Sequence, residues 1–260
     1  MGKILAITNR KGGCGKSTTV ANLGIGLARQ GKKVLCIDTD SQSSLSVSLG
    51  IAEPDKLSVT LTKIMQDIID EKEIDPTAGI VKHPEGIDLL PANNTLARME
   101  IELAPIIGRE TVLRQYVDKA KPLYDYVLLD TAPTLGLLTV NALAAADSVI
   151  IPVVPKFLDA KGMELLLKTI SQIRRQINPN LEIGGILLTM VDRRANFTRD
   201  IISLIEGAYG GKIHIFGEHI PRSVRAAETS ALGKSIFTHD PKGKVAFAYE
   251  ALAKGVLESA

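Results

Sequence analysis

Chemistry is concentrated first in one glycine-rich stretch, Lys11-Gly12-Gly13-Cys14-Gly15-Lys16-Ser17-Thr18. Glycines allow successive backbone N–H groups to turn inward and approach phosphate oxygens with no Cβ in the way. Apolar residues 4–8 precede the stretch and a helical pattern follows it, which is the strand–loop–helix context a phosphate-binding loop needs. In such a loop Lys16 reaches the β- and γ-phosphates of ATP, and the Ser17 hydroxyl ligates Mg2+. A helix beginning near Lys16 adds its unpaired N–H groups and its dipole. The usual pattern has glycine where this chain has Arg10, so its first position is broken; Lys11 instead gives the loop a second lysine. A glycine-rich turn arising by chance before a helix is the plain competitor. At average glycine usage it produces this pattern about once in 10,000 chains.

Two carboxylates complete the expected site. Tyr126-Val127-Leu128-Leu129-Asp130 is an apolar run ending in Asp, the form of a strand whose carboxylate holds Mg2+ through water. Asp38-Thr39-Asp40 closes another apolar run. Parallel strands end on one edge of their sheet, so these groups can meet at the phosphates. Thr131 rather than Glu follows Asp130, which leaves no strong base beside it. Asp40 is therefore the candidate to orient the attacking water, and catalysis by positioning alone predicts the slow turnover of a switch.

The elements that must hold these residues are legible as alternation. Short apolar, β-branched runs at 4–8, 34–37, 87–90, 126–130, 148–153 and 183–189 predict strands buried on both faces. Helical spacing predicts helices over 17–30, 137–145, 160–177, 197–208 and 245–257, the first stopped by Gly31. Strands alternating with helices imply an α/β fold, a doubly wound, mostly parallel sheet of the P-loop NTPase kind. With no internal repeat and no long linker, residues 1–260 are expected to form one domain.

Composition narrows the setting. Hydrophobic residues make up 45% and aromatics 4%, with no Trp, so the core must be aliphatic. A net charge of +2 says nothing about nucleic acid by itself; a basic footprint would have to be local. Cys14 and Cys36 fall in no metal or redox spacing, which fits a reducing compartment. The four histidines, His83, His214, His219 and His239, lack ligand spacing. No signal-peptide pattern opens the chain and no apolar run is long enough to span a bilayer, so a cytoplasmic protein is expected.

The loop with its extra lysine resembles the deviant Walker A signature of the ParA/MinD class. Asp38-Thr39-Asp40-Ser41-Gln42, Asp125 to Pro133, Gly136 to Leu143, Leu187 to Asp192 and Ile220 to Arg225 resemble the ParA (Soj) partition ATPases in particular, in order along nearly the whole chain. The resemblance implies a homodimer closed around ATP and Mg2+, with Lys11 contacting the phosphates held by the other subunit. It assigns hydrolysis to Asp40, beside Lys11 and Lys16, and the metal to Ser17 and Asp130. It places Met190 and Pro221, with Thr189, near the nucleobase. It also implies nonspecific DNA binding through Arg194 and Arg225, nucleoid association in the ATP state, and a ParB-like centromere-binding protein that stimulates hydrolysis.

Departures from the family pattern touch partner contacts more than chemistry. Ser41 stands where the family usually has Pro, Ser43-Ser44 replace a common Gly-Asn, and Lys156 and Lys161 lie where Gln or Glu is frequent. No extension precedes the first strand, so the helix-turn-helix domain of larger relatives is not expected. Arg193, Arg194, Arg222, Arg225, Lys234, Lys242 and Lys244 are the basic residues at loop ends. Without a recognition helix or stacking face, DNA binding would run through phosphates. A MinD-like membrane-associated ATPase is the alternative and would need a basic amphipathic C-terminal helix; Val245, Tyr249, Leu252 and Val256 line one face, but core packing explains them. A metal-cluster reductase would need further cysteine ligands, and a small-molecule ligase or kinase would need a substrate pocket that the sequence does not identify.

Overall fold

The computed structural model describes residues 2–192 and 194–258, and for 157–161 the backbone course only. In chain order the elements are β1 (Lys3–Ile7), α1 (Lys16–Arg29), β2 (Val34–Thr39), α2 (Ser44–Ser48), α3 (Leu61–Ile69), β3 (Val81–Lys82), β4 (Asp88–Leu90), α4 (Leu96–Glu102) and α5 (Val112–Ala120). They continue with β5 (Tyr126–Thr131), α6 (Leu137–Ala145), β6 (Ser148–Val153), α7 (Phe157–Gln176), β7 (Glu182–Leu188), α8 (Asn196–Tyr209), α9 (Val224–Leu232), α10 (Ile236–His239) and α11 (Lys244–Glu258).

The strands form a 7-stranded sheet in the order β3-β4-β2-β5-β1-β6-β7. All neighbours are parallel except the short β3, which pairs antiparallel with β4. Because side chains alternate along a strand, each apolar run feeds two cores. Ile4, Ala6, Leu35, Ile37, Val127 and Leu129 face a cluster that includes α3 to α8. Leu5, Ile7, Val34, Cys36 and Leu128 face a second cluster built with α1, α2, α10 and α11. Helix α1 comes close to the sheet because Gly24 has no side chain: a Cβ there would lie 2.8 Å from Cys36 Sγ.

The chain leaves β1 toward β2 by way of α1 and leaves β5 toward β6 by way of α6, that is, in opposite directions from two adjacent strands. Such a divergence opens a crevice at the carboxyl ends of the strands. Both the glycine loop and the segment after Asp130 emerge there.

The predicted strands and the five predicted helices are present with ends shifted by a few residues. Helices α2 to α5, α9 and α10 were not predicted. Residues 213–221, ahead of Arg222, form no strand and contribute only the isolated bridges Ile186–Ile215 and Val191–Pro221. Arg225 lies in the first turn of α9. Arg193 and the side chain of Lys161 lie outside the described residues.

Candidate nucleotide site

The glycine loop spans the gap between β1 and α1. Gly13 and Gly15 have φ of 68° and 86°, a region that L side chains avoid, and a Cβ on Gly12 or Gly13 would meet nothing within 4 Å. The loop is braced from outside. Asn9 Nδ2 donates to the Pro152 carbonyl at 2.7 Å and its Oδ1 accepts from Lys11 N at 3.1 Å. Thr189 Oγ1 donates to the Cys14 carbonyl at 2.9 Å. Cys14 is buried, and its Sγ donates to the Lys11 carbonyl. Burial pushes its thiol pKa up, so it packs as a small apolar group.

Lys16 is buried at the head of α1, and its Nζ donates to the Lys11 carbonyl at 3.2 Å. Lys11 is exposed on the loop, Ser17 and Thr18 half-buried behind it. The two lysines thus have different environments, one turned into the loop and one presented at its surface.

The carboxylates converge as the parallel register requires: β2 and β5 pair Asp38 with Asp130, and β5 and β1 pair Asp130 with Ile7. Asp130 is fully buried, and neither of its side-chain oxygens has a hydrogen-bond partner. Burial foremost, then the charge of Asp38, pushes its carboxyl pKa up; Ser17 and Lys16 act in the opposite direction. Asp38 is buried too but well solvated by protein. It accepts from Asp40 N at 3.1 Å, Ser46 N at 2.9 Å and Ser46 Oγ at 2.7 Å. Its pKa is nevertheless pushed up to about 6, chiefly by burial. Asp40 follows β2, and its Oδ1 accepts from Gln42 N at 3.0 Å.

Of the remaining predicted residues, Met190 lies against the loop and Pro221 and Arg194 share a cavity, while Arg225 lies apart on α9. Met190, with φ of 52°, forms the turn after β7, and a Cβ placed on Gly15 would lie 3.9 Å from its Cε. Val191 N donates to the Ile220 carbonyl and Arg222 N to the Val191 carbonyl, which fixes Pro221 beside this turn. Pro221 and Arg194 line a cavity of about 1220 Å3 together with Arg222, Lys244 and Phe247. Arg225 is exposed on α9, with Nη1 3.7 Å from Glu228 Oε2.

Asn9 and Ser46 were not singled out from sequence as parts of the site, and Thr189 was expected near the nucleobase rather than as a brace of the loop at Cys14. Asn9 and Ser46 carry no spacing signal, since they act across 143 and 8 positions of chain. Asp38 did carry one, as the partner of Asp40 two residues on, but its register with Asp130 appears only in the sheet.

A phosphate-type loop at a topological switch point, with a buried metal-type carboxylate on the adjacent strand, defines a P-loop ATPase, and the AAA domain family matches residues 2–183. Over 256 residues the chain is 41% identical to the sporulation initiation inhibitor protein Soj of Bacillus subtilis, covering 98% of each. It is 37% identical to the chromosome partitioning protein ParA of Caulobacter vibrioides, covering 98% of this chain and 94% of that one. A solved structure of cobyrinic acid a,c-diamide synthase from Mycobacterium smegmatis, with bound ATP analog and magnesium, superposes with a TM-score of 0.86 at 35% identity, covering 99% of this chain and 95% of that one. The chain belongs to the ParA/Soj family of partition ATPases.

Proposed function

We propose that the chain binds ATP and Mg2+ at the loop of residues 11–18, dimerises in that state, binds DNA without sequence preference and drives partition of a replicon. Residues 1–260 act as a single ParA-type domain in the cytoplasm, associated with the nucleoid when ATP is bound. The observation that carries the reading is Asp130: a fully buried carboxylate with no ordinary hydrogen bond to either oxygen costs, as the anion, several kcal/mol, roughly, unless a cation or a bound proton offsets it. Mg2+ fits that donor, with the Ser17 hydroxyl beside it. Bound Mg2+ would neutralise charge on the phosphates. Lys16 would hold the β- and γ-phosphates, and Lys11 would reach those of the second subunit. Asp40 would orient water, and Met190 and Pro221 would flank the base. Arg194 and Arg225 would contact DNA phosphates, and a ParB-like protein would stimulate hydrolysis.

Two other readings have some support. The MinD-like alternative rests on α11, yet Val245, Tyr249, Leu252 and Val256 are all buried against α1 and the sheet, which leaves that face to the core. No helix of the described residues is long and apolar enough to cross a membrane. The Mycobacterium smegmatis structure bears a synthase's name, and the cavity beside Pro221 would then have to admit an acceptor molecule.

ATP hydrolysis measured with Mg2+, with and without random duplex DNA and a ParB-like protein, tests the proposal and separates these readings. Stimulation by the two together is expected; stimulation by anionic vesicles or by a carboxylic acid acceptor alone would favour the others. Lys16→Ala should abolish productive ATP binding, because it removes the buried charge that the phosphates require. Unchanged ATP affinity in that variant would move the phosphate site elsewhere.

A further inference from the structure

The segment that follows the metal-type carboxylate is held at both ends, and one of its anchors comes from a helix that no motif marks. Asp130 ends β5 with Thr131, whose Oγ1 donates to the Ile7 carbonyl at 3.0 Å. Residues 132–136 then cross the crevice edge to reach α6 at Leu137. Gly136 is the N-cap of α6 and has no side chain to satisfy the first N–H groups of that helix. The carboxylate of Glu100, on α4, does so from outside: Leu137 N donates to Oε2 at 2.8 Å and Leu138 N to Oε1 at 3.2 Å. A charged acceptor at this end also meets the positive pole of the helix.

Two further features show that the arrangement is specific. A Cβ on Gly136 would lie 2.4 Å from Glu100 Oε1, so the absence of a side chain there is what admits the carboxylate. Gly136 has φ of −73°, which any residue can adopt, so backbone freedom does not account for the glycine. The loop is tied inward as well, since Thr139 Oγ1 donates to the Thr134 carbonyl at 2.7 Å. The stretch beyond α4 is bound to the same helix through buried Asn141, whose Nδ2 donates to the Arg109 carbonyl at 2.7 Å and whose Oδ1 accepts from Leu113 N at 3.0 Å.

We infer that Glu100 is a positioning residue for ATP hydrolysis: it clamps the N-terminus of α6 and thereby sets the course of residues 132–136 beside Asp130. The inference rests on the proposed metal role of Asp130 and adds a residue outside every nucleotide motif. A clamp of this kind contributes when the loop must hold a catalytic geometry, and little to capture of the nucleotide by the glycine loop.

The test uses Glu100→Ala, Glu100→Gln, Gly136→Ala and the double variant Glu100→Ala/Gly136→Ala. Glu100→Ala should lower kcat by about tenfold while ATP affinity and KM stay within about twofold. Glu100→Gln, which keeps an acceptor without the charge, should recover part of that loss. Gly136→Ala should reproduce the defect by displacing the carboxylate, and in the Glu100→Ala background it should add nothing. Hydrogen exchange supplies a readout independent of activity: the amides of Leu137 and Leu138 should lose protection in Glu100→Ala and Gly136→Ala. Unchanged protection, additive effects of the two substitutions, or a loss of ATP affinity equal to the loss of kcat would each overturn the inference. A wild-type protein without ATPase activity would instead sink the functional reading, and the exchange data would still decide the clamp.

Discussion

Asp130 and Asp38 face each other across β5 and β2 as two buried carboxylates, and their surroundings divide the labour between them. Asp38 has its oxygens filled by Ser46 and the Asp40 amide, whereas those of Asp130 close no ordinary hydrogen bond, a difference that supports the metal role proposed for Asp130. Both carboxyl pKa values lie above the ordinary carboxylate range. A raised acid binds its proton more tightly in the folded state than in the unfolded one. Its contribution to stability is therefore fully present below the unfolded value near 4 and is lost as pH rises through the folded value, about 6 for Asp38. Through these two groups metal- and nucleotide-free protein should melt higher at pH 5 than at pH 7.5, against the opposing contribution of His83, whose pKa burial lowers. Asp130→Asn should raise the melting temperature at pH 7.5 and flatten that dependence; calorimetry across the pH range reads both, and a steeper dependence in the variant would contradict the assignment. Asp40 differs from this pair because it lies past the strand end. Asp40→Ala should leave ATP binding and dimerisation intact and lower kcat by about a hundredfold or more, leaving a persistent dimer in sedimentation with ATP. Undiminished turnover would transfer the water-orienting role to another group.

At the scale of elements, the turn between β2 and α2 carries a local cost. Ser43, where the family pattern has Gly, adopts φ of 54° and ψ of 31°. A non-glycine residue there costs roughly 1–2 kcal/mol, partly offset by the lower chain entropy that a side chain brings to the unfolded state. Ser43→Gly should therefore stabilise the protein by about 0.5–1 kcal/mol, or roughly 2–4 °C in melting temperature. No gain in thermal denaturation would mean that the surrounding turn relieves the strain. The turn matters because α2 supplies Ser46, which holds Asp38 and also accepts from Ala92 N through its hydroxyl. On the other face, Arg29 stacks over Phe237 with 5.0 Å from Cζ to the ring centroid, and Thr19 Oγ1 lies 3.3 Å from Tyr249 Oη. These contacts lock α10 and α11 to the helix that carries Lys16.

Across the whole molecule net charge is small, and Arg194, Arg222 and Lys244 cluster near Pro221, where the proposed DNA contact would find its local basic footprint. Their side chains sit among Asp192 and Glu218, so this surface is mixed in sign. With no recognition helix to carry them into a groove, such side chains pair with phosphates rather than base edges. The double variant Arg194→Glu/Arg225→Glu should weaken binding to random duplex DNA with ATP for all sequences alike. It should also reduce the slope of log affinity against log salt by about 1 for each phosphate no longer neutralised. ATP-driven dimerisation should survive. Wild-type affinity and slope in the double variant would remove both arginines from the DNA surface.

Short-range pattern made part of this protein readable from its residues alone. The glycine loop is legible because backbone approach to phosphate demands those glycines within a few residues of Lys16 and Ser17. The apolar runs ending at Asp38 and Asp130 are legible because strands buried on both faces need nearly continuous hydrophobicity. The stretch between β2 and β5 was mostly illegible: α2 and α4 are short, 5 and 7 residues, and docking rather than periodicity defines them. The fold, not the pattern, settled how differently the two carboxylates are held, since that depends on Ser46 reaching Asp38 and on the Ser17 hydroxyl lying beside Asp130 without closing an ordinary hydrogen bond. It alone brought Glu100 to the N-terminus of α6, 37 positions away in the chain, because a helix end accepts a cap from any neighbour that packing places there.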